Sequence, residues 1–470
     1  RDSRNQKVAC RFTNEWPVTL LPLRIANVNV GSVESTAGAR ENVLELRVAF
    51  DSSRAALSTS TFDKLRLYFD LQESDSGVWQ RLILESLTEV IVIPFGGDEI
   101  ALSTRVSSPL LEMSEVDALE SQTVMPSRLI GEYISFSEKL NFFDIDFDAW
   151  RDRSGQAFSL ALRFEMPKLS VPPMTINSVK LYCTPARNRF LQTAAPIPIT
   201  GLEIEHEIEV SDASLAGNFP LEVVDIERVE SIRRDRPKNR KYQNMLKPDS
   251  LAAQKTSFYF YRKRGQKEGE VVPLIGLYGL STLSLDQEVL RVSTPCRNGP
   301  LGELIGPGDV NVKTSQTSDL FKFTNLTNAT RFEPANIVTD EAWQAISDQS
   351  MSSTDLTCAN DLRNYLNHHL SSLMSDSSRH KVARHRFNSI EELRVLPIES
   401  IVHGRAYFGQ EFQVTVNSSH FASTNECYLF GCLLNSVFNL RKPLNSICQT
   451  RIVDSRSGEE TLWSPMTSSH

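Results

Sequence analysis

The residues of this chain best suited in kind to chemistry are four histidines close together in sequence, His368, His369, His380 and His385. Imidazoles suit zinc, but a ligand set must converge on one point. His368 and His369 are adjacent, so a helix would point them about 100° apart. No cysteine or carboxylate stands at a ligand spacing from them. Asp144, Asp146 and Asp148 alternate with Ile145 and Phe147, so a strand would line three carboxylates on one face. A calcium loop of the EF-hand kind needs glycine at its sixth position and glutamate at its twelfth. Here Ala149 and Gly155 stand there. A solvated strand edge is the simpler reading, and no metal site is assigned.

Templates for other reactions are missing. The chain has no G-x-S-x-G elbow, H-E-x-x-H helix, Walker A loop or G-x-G-x-x-G fingerprint. Gly299, Gly302, Gly306 and Gly308 come closest to a phosphate loop. Pro300 and Pro307 remove amide donors that a phosphate would need, and no Lys-Ser/Thr ending follows. His206-Glu207 sits in a period-two pattern with no second histidine four residues on. Paired glycosidase carboxylates cannot be recognised from sequence spacing, so a β-sandwich hydrolase acting on carbohydrate stays an alternative. Two basic stretches, 233–241 and 262–264, suggest a second alternative. Phe258, Tyr259, Phe260 and Tyr261 precede the latter and could stack bases. Against nucleic-acid binding stands a formal net charge of −8, the opposite of the usual basic footprint. The expectation is no catalytic residue, no cofactor and no enzyme.

The elements that would position such residues are mostly strands. Leu44, Leu46, Val48 and Phe50 alternate with other residues, and Leu65, Leu67 and Phe69 repeat the pattern. Further strands are expected within 158–166, 178–184, 202–210, 221–229, 257–262, 289–293 and 413–416. A helix is expected over 76–88, closed before the β-branched run 90–93. After about residue 335, helices are expected over 341–351 and 361–373, capped by Asp340 and Asn360. Leu429, Phe430, Leu433, Leu434, Val437 and Phe438 recur in pairs four apart, one broad apolar face on a helix that ends before Pro443. Its own domain is the expected cover. The loops 233–241 and 299–310 are expected to be exposed.

These elements imply a β-rich α+β chain of antiparallel β-sandwich-like domains, with a few amphipathic helices mainly in the C-terminal third. A length of 470 residues suggests about three domains. The expected division is 1–130, β-rich and incomplete at its start; 131–335, sandwich-like; and 336–470, α+β. With 40% hydrophobic and 23% charged residues, wholesale disorder is excluded. No apolar run approaches the ~20 residues that span a bilayer. Seven scattered cysteines without a C-x-x-C pair read as free thiols in a reducing compartment. The glycosylation sequons at Asn325, Asn328 and Asn417 read as incidental. The chain opens at Arg1 without a signal pattern, as after removal of an N-terminus or from inside a longer chain.

Several motifs together resemble one family. Residues 131–146, GEYISFSEKLNFFDID, are similar to the E-Y-F-x-F-P-E-K-F-x-F-F-D-L block of TssF, also called VasA or ImpG, a baseplate subunit of bacterial type VI secretion systems. Glu132, Tyr133, Phe136, Glu138, Lys139, Phe142, Phe143 and Asp144 stand at matching places. Cys183, Thr184, Pro185, Asn188 and Phe190 match its C-T-P-x-x-N-L-F. Cys10, Arg11, Val18 and Pro22 match an upstream Cys-Arg-Thr region, and Cys296 and Asn298 a later loop with altered residue order. Trp343, Ile346 and Ser347 resemble a W-R-L-I-S helix. Gly409, Phe421, Phe430, Leu433, Phe438, Asn445 and Ser446 resemble the closing strand and helix. Ser137 replaces a usual proline and Phe408 a usual arginine, as in a divergent branch.

The resemblance implies that these positions are structural. It implies a wedge in which two copies of the subunit join one TssG-like protein and a TssK-like adaptor attaches. Hub, spike and sheath proteins would be neighbours, and tail tube and sheath would assemble from it. It implies no nucleic-acid partner and no membrane insertion. The expected place is the bacterial cytoplasm, docked at the inner-membrane secretion complex, with further N-terminal sequence before Cys10.

Overall fold

A computed structural model describes residues 9–34, 42–52, 57, 62–102, 106–111, 125–151, 153, 155–167, 170–199, 204–212, 219–233, 240–245, 257–264, 271–278, 288–313, 317–332, 355–371, 378–402, 405–443 and 446–466. Contacts group the chain into two units, each discontinuous in sequence: 1–16 with 185–339, and 17–184 with 340–470. The division into three successive segments expected from sequence is thus not the grouping that contacts make. Phe142–Asp146, for example, pairs back onto Lys64–Phe69 across the anticipated boundary at 130.

The larger unit, 17–184 with 340–470, begins with two antiparallel sheets. One runs in the order Leu23–Glu34, Asn42–Ser52, Ala157–Phe164, Leu87–Pro94, Ile100–Ala101. The other runs Val179–Leu181, Lys64–Phe69, Phe142–Asp146, Val106–Ser107. Because side chains alternate along a strand, Leu44, Leu46, Val48 and Phe50 fall on one face and are all buried, as are Leu65, Leu67 and Phe69. Phe147, Trp150, Phe158 and Phe164 join the same core. Helix α1, Glu73–Glu85, adds Trp79, Leu82 and Ile83. It ends earlier than expected, since Thr88 already belongs to the next strand.

The rest of that unit is a four-stranded sheet in the order Ile390–Val402, Arg405–Val416, Ile447–Asp454, Glu460–Met466. Among the described residues four α-helices accompany it: α2, Met125–Ser135; α3, Ala359–Ser371; α4, Ser378–Phe387; and α5, Thr424–Arg441. The two middle strands are parallel, so the chain must cross over between them, and α5 is that crossover. Ser423 caps α5 by accepting from the Glu426 N–H, while the Glu426 carboxylate accepts from the Ala422 N–H at 3.1 Å. Every residue from Tyr428 to Phe438 is buried, so α5 is covered all round rather than along one face. Phe430, Leu433, Leu434, Val437 and Phe438 enter one cluster, and Tyr428, Leu429 and Cys432 another.

One expected cap is corrected. Asn360 lies inside α3, whose start is held instead by the Asp361 carboxylate accepting from Cys358 N–H (3.2 Å) and Thr357 Oγ1 (3.0 Å). The helix expected over 341–351, with Asp340 and Trp343, lies outside the described residues, as does Asn445.

The smaller unit carries a nine-stranded sheet. Its main path is Phe190–Thr193, Glu288–Arg297, Arg228–Arg233, Arg240–Asn244, Ser257–Arg264, Val271–Tyr278, Glu205–Glu207. Ile197–Ile199 and Glu222–Val223 also pair with Glu288–Arg297. Only Arg240–Asn244 and Ser257–Arg264 run parallel among the pairs of this sheet in the described residues. Phe190, Val229, Phe258, Ile275, Leu290, Val292 and Cys296 fill its core. The chain is therefore β-rich α+β, with several antiparallel sheets. Among the described residues no helix is long and apolar enough to cross a membrane.

Candidate functional site

Many of the motif residues gather into two constellations, one in each unit. In the smaller unit three distant segments meet at a pair of asparagines. Asn188 donates through Nδ2 to the Arg11 carbonyl and to Asn298 Oδ1, both at 2.8 Å. Asn188 Oδ1 accepts from the Asn298 N–H at 2.8 Å, and Asn298 Nδ2 donates to the Ala9 carbonyl. The Cys10 thiol donates to the Leu301 carbonyl at 3.7 Å, and the Arg11 guanidinium lies 5.4 Å from the centre of the Phe190 ring. Phe190 is the register partner of Cys296. The buried Pro185 offers its carbonyl to the Glu15 N–H. Amides with two donors and two acceptors suit this task, because each can bridge several backbone groups at once.

In the larger unit, residues 131–144 turn one motif into core and ion pairs. Glu132 pairs with Arg128 and with the buried Lys139, both at 2.9 Å. Tyr133 is buried beside Arg386, and Glu138 pairs with Arg379. Phe136 is half-buried and precedes the short helix Ser137–Asn141. Phe142 packs on Tyr68 and Phe143 on Phe69. Asp144 does not stand on a solvated edge: its strand is interior to the sheet, and Arg66 grips it with two hydrogen bonds of 2.6 and 2.7 Å. Asp146 accepts instead from the Asp148 N–H.

The candidates for chemistry are dispersed. His369 packs edge-on against Tyr365, His380 is buried, and His385 stacks on His420 with ring centres 4.2 Å apart. No group of three or more His, Cys, Asp or Glu is placed to hold a metal ion among the described residues. None of the seven cysteines forms a disulfide. Burial pushes the Cys183 thiol up to about 11, which makes it a poor nucleophile. Residues Gly299–Leu304 form a short 3₁₀ helix with Pro300 in its first turn. A depression of about 460 Å³ is lined by Glu89 and Glu99, but both carboxylates engage Arg163. In the aromatic run, Phe258 is core while Tyr259 and Tyr261 reach Glu205. Arg262 donates to the carbonyls of Val223 and Val224, so it is committed internally.

One half-buried histidine, His369, gives the larger unit a pH dependence. Burial, and then the Arg441 charge, hold His369 down at about 4, against an ordinary 6.5. Between those values the unfolded chain binds a proton that the folded chain does not. Stability therefore falls as pH drops through that window, by at most about 3 kcal/mol. Urea unfolding at pH 7 and pH 4 is expected to show this component in the wild type and to lack it in His369→Phe.

The family model for the type VI secretion system protein TssF matches residues 1–470. The chain belongs to the TssF family. Among solved structures, it is similar to a chain of the TssK–TssF–TssG baseplate subcomplex of a type VI secretion system, determined by cryo-electron microscopy. That match has a TM-score of 0.73 and 20% identity, covering 97% of this chain and 83% of the other. It is also similar to a chain of a type VI secretion baseplate complex, with a TM-score of 0.55 and 15% identity over 97% and 78%. At these identities the likeness is one of fold. No curated protein sequence matches the chain.

Within the TssF frame, the remaining motif positions have these places. Gly409 lies where its strand meets Ile447, Phe430 packs between Phe387 and Phe421, and Ser446 Oγ donates to the Pro443 carbonyl. Thr184 is half-buried. Sequence reasoning missed the buried Arg163–Glu45 pair. The only signal was an arginine near the end of the apolar run AFSLALRF.

Proposed function

We propose that this chain is a structural subunit of a type VI secretion baseplate, assembling with TssG-like and TssK-like partners so that tail tube and sheath can start. The observation that carries this reading is the family match over the whole chain, joined to a fold shared with a chain of the TssK–TssF–TssG subcomplex. A second copy of the subunit, hub or spike proteins and the sheath are the further neighbours in this reading. The bacterial cytoplasm, at the inner-membrane secretion complex, is its place. A structural role is supported by how the polar motif residues are used. Asn188 and Asn298 tie chain segments together, and Glu132, Glu138 and Asp144 each hold a cation. The motif positions act in this reading as a scaffold that presents surface loops to partners.

The test is made in the source bacterium with a fluorescent sheath protein. Deleting the gene is expected to abolish sheath foci, and the wild-type gene on a plasmid to restore them. Foci that persist at wild-type frequency in the deletion strain would contradict the proposal.

A further inference from the structure

We infer that the outward face of Ser257–Arg264, Val271–Tyr278 and Glu205–Glu207 is a docking platform for an arginine-bearing segment of a partner protein. Phe258, Ile275, Leu277 and His206 point into the core. Alternation therefore puts Tyr259, Tyr261, Gly276, Glu205 and Glu207 on the opposite face.

The Tyr259 ring lies flat on that face. Its Cζ is nearest to the point where a Cβ of Gly276 would stand, and its two Cε atoms are nearly equidistant from it. A ring standing on edge would not give that pattern. Glycine is what lets the ring settle onto the backbone, a known way of covering a strand glycine. The Tyr261 ring is within 24° of the same plane with its centre 6.0 Å away, near the roughly 6.8 Å that separates residues two apart on a strand. The rings therefore lie side by side, and both hydroxyls donate to Glu205, at 3.1 and 2.5 Å. The result is a flat aromatic surface two rings wide, fixed before any partner arrives.

Its charge selects the occupant. The ring faces attract cations, the exposed Glu205 holds their hydroxyls, and Glu207 is exposed on the same face, with Leu274 between it and Tyr261 in the register. Glu207 has no ion pair among the described residues. A guanidinium is planar, stacks on tyrosine and forks onto a carboxylate. Phosphate backbones would meet two carboxylates instead. Lys263 stands one step beyond Tyr261, opposite Val272 and outside the Tyr–Glu square.

The test titrates the full chain with a fluorescent Gly-Arg-Gly-Arg-Gly peptide, with a citrulline version as the neutral isostere. Anisotropy is expected to show binding to the wild type that is about tenfold weaker for citrulline. Glu207→Lys and Tyr261→Leu are expected to weaken the arginine peptide to a similar degree, while Glu459→Lys, at an exposed carboxylate of the other unit, leaves it unchanged. Equal binding of both peptides, an equal loss in Glu459→Lys, or no binding to the wild type would each overturn the inference.

Discussion

Replacing Arg163 with alanine is expected to destabilise the larger unit by about 3–5 kcal/mol. Arg163 sits on the central strand Ala157–Phe164, flanked by Asn42–Ser52 and Leu87–Pro94. Its guanidinium reaches Glu45 at 3.0 Å, Glu89 at 3.2 Å and Glu99 at 2.7 Å. The side chains of Arg163 and Glu45 are only 4% and 5% exposed. A carboxylate that deep is costly without its cation, and the half-exposed Arg47 at 2.7 Å compensates only in part. The cost lies in the stranded partner, not in the pair itself. Removing both charges with apolar residues of similar volume, Arg163→Met with Glu45→Leu, is therefore expected to recover most of the loss. Urea unfolding followed by the fluorescence of the buried Trp79 and Trp150 reads both variants. A loss in Arg163→Ala below about 1 kcal/mol would show that the network is not buried as described.

The second large effect is expected at Gly409. Gly409 opens the parallel pairing between Arg405–Val416 and Ile447–Asp454, directly beside Ile447. The Ile447 carbonyl group occupies the space that a Cβ at 409 would need, so backbone, not a flexible side chain, would have to move. That carbonyl belongs to the strand that receives α5. Even Gly409→Ala is expected to cost about 3 kcal/mol, the upper end of ordinary overpacking, and Gly409→Val more. Chemical unfolding of the two variants measures this. A Gly409→Ala protein as stable as the wild type would mean that the two strands part more easily than their register suggests.

Much of the local structure was legible because periodicity is a local signal. The alternation at Leu44–Phe50 and the stop of α5 before Pro443 could be read directly. What could not be read was partnership at a distance. Glu45, Arg47 and Arg163 occupy the polar positions of alternating strands, where a solvated face is the ordinary meaning, yet Glu45 and Arg163 are buried against each other. Of the 258–261 aromatics, whose spacing suggests base stacking, Phe258 lies in the core, while Tyr259 and Tyr261 lie on the opposite face, where their hydroxyls find a polar partner in Glu205. Asn188 and Asn298 stand 110 residues apart, and no spacing rule links them. Only the resemblance to TssF singled out both. The two-unit grouping escaped for the same reason, since the chain leaves one unit near residue 184 and returns near 340.

The central claim is that this chain acts by joining a baseplate complex. The direct measurement is multi-angle light scattering of the purified full-length protein, alone and mixed with the cognate TssG-like and TssK-like proteins. The expected result is a single species whose mass equals a whole-number sum of the subunits and includes this chain. A mixture in which this chain elutes at the mass it has alone, at micromolar concentration and low salt, would contradict the claim.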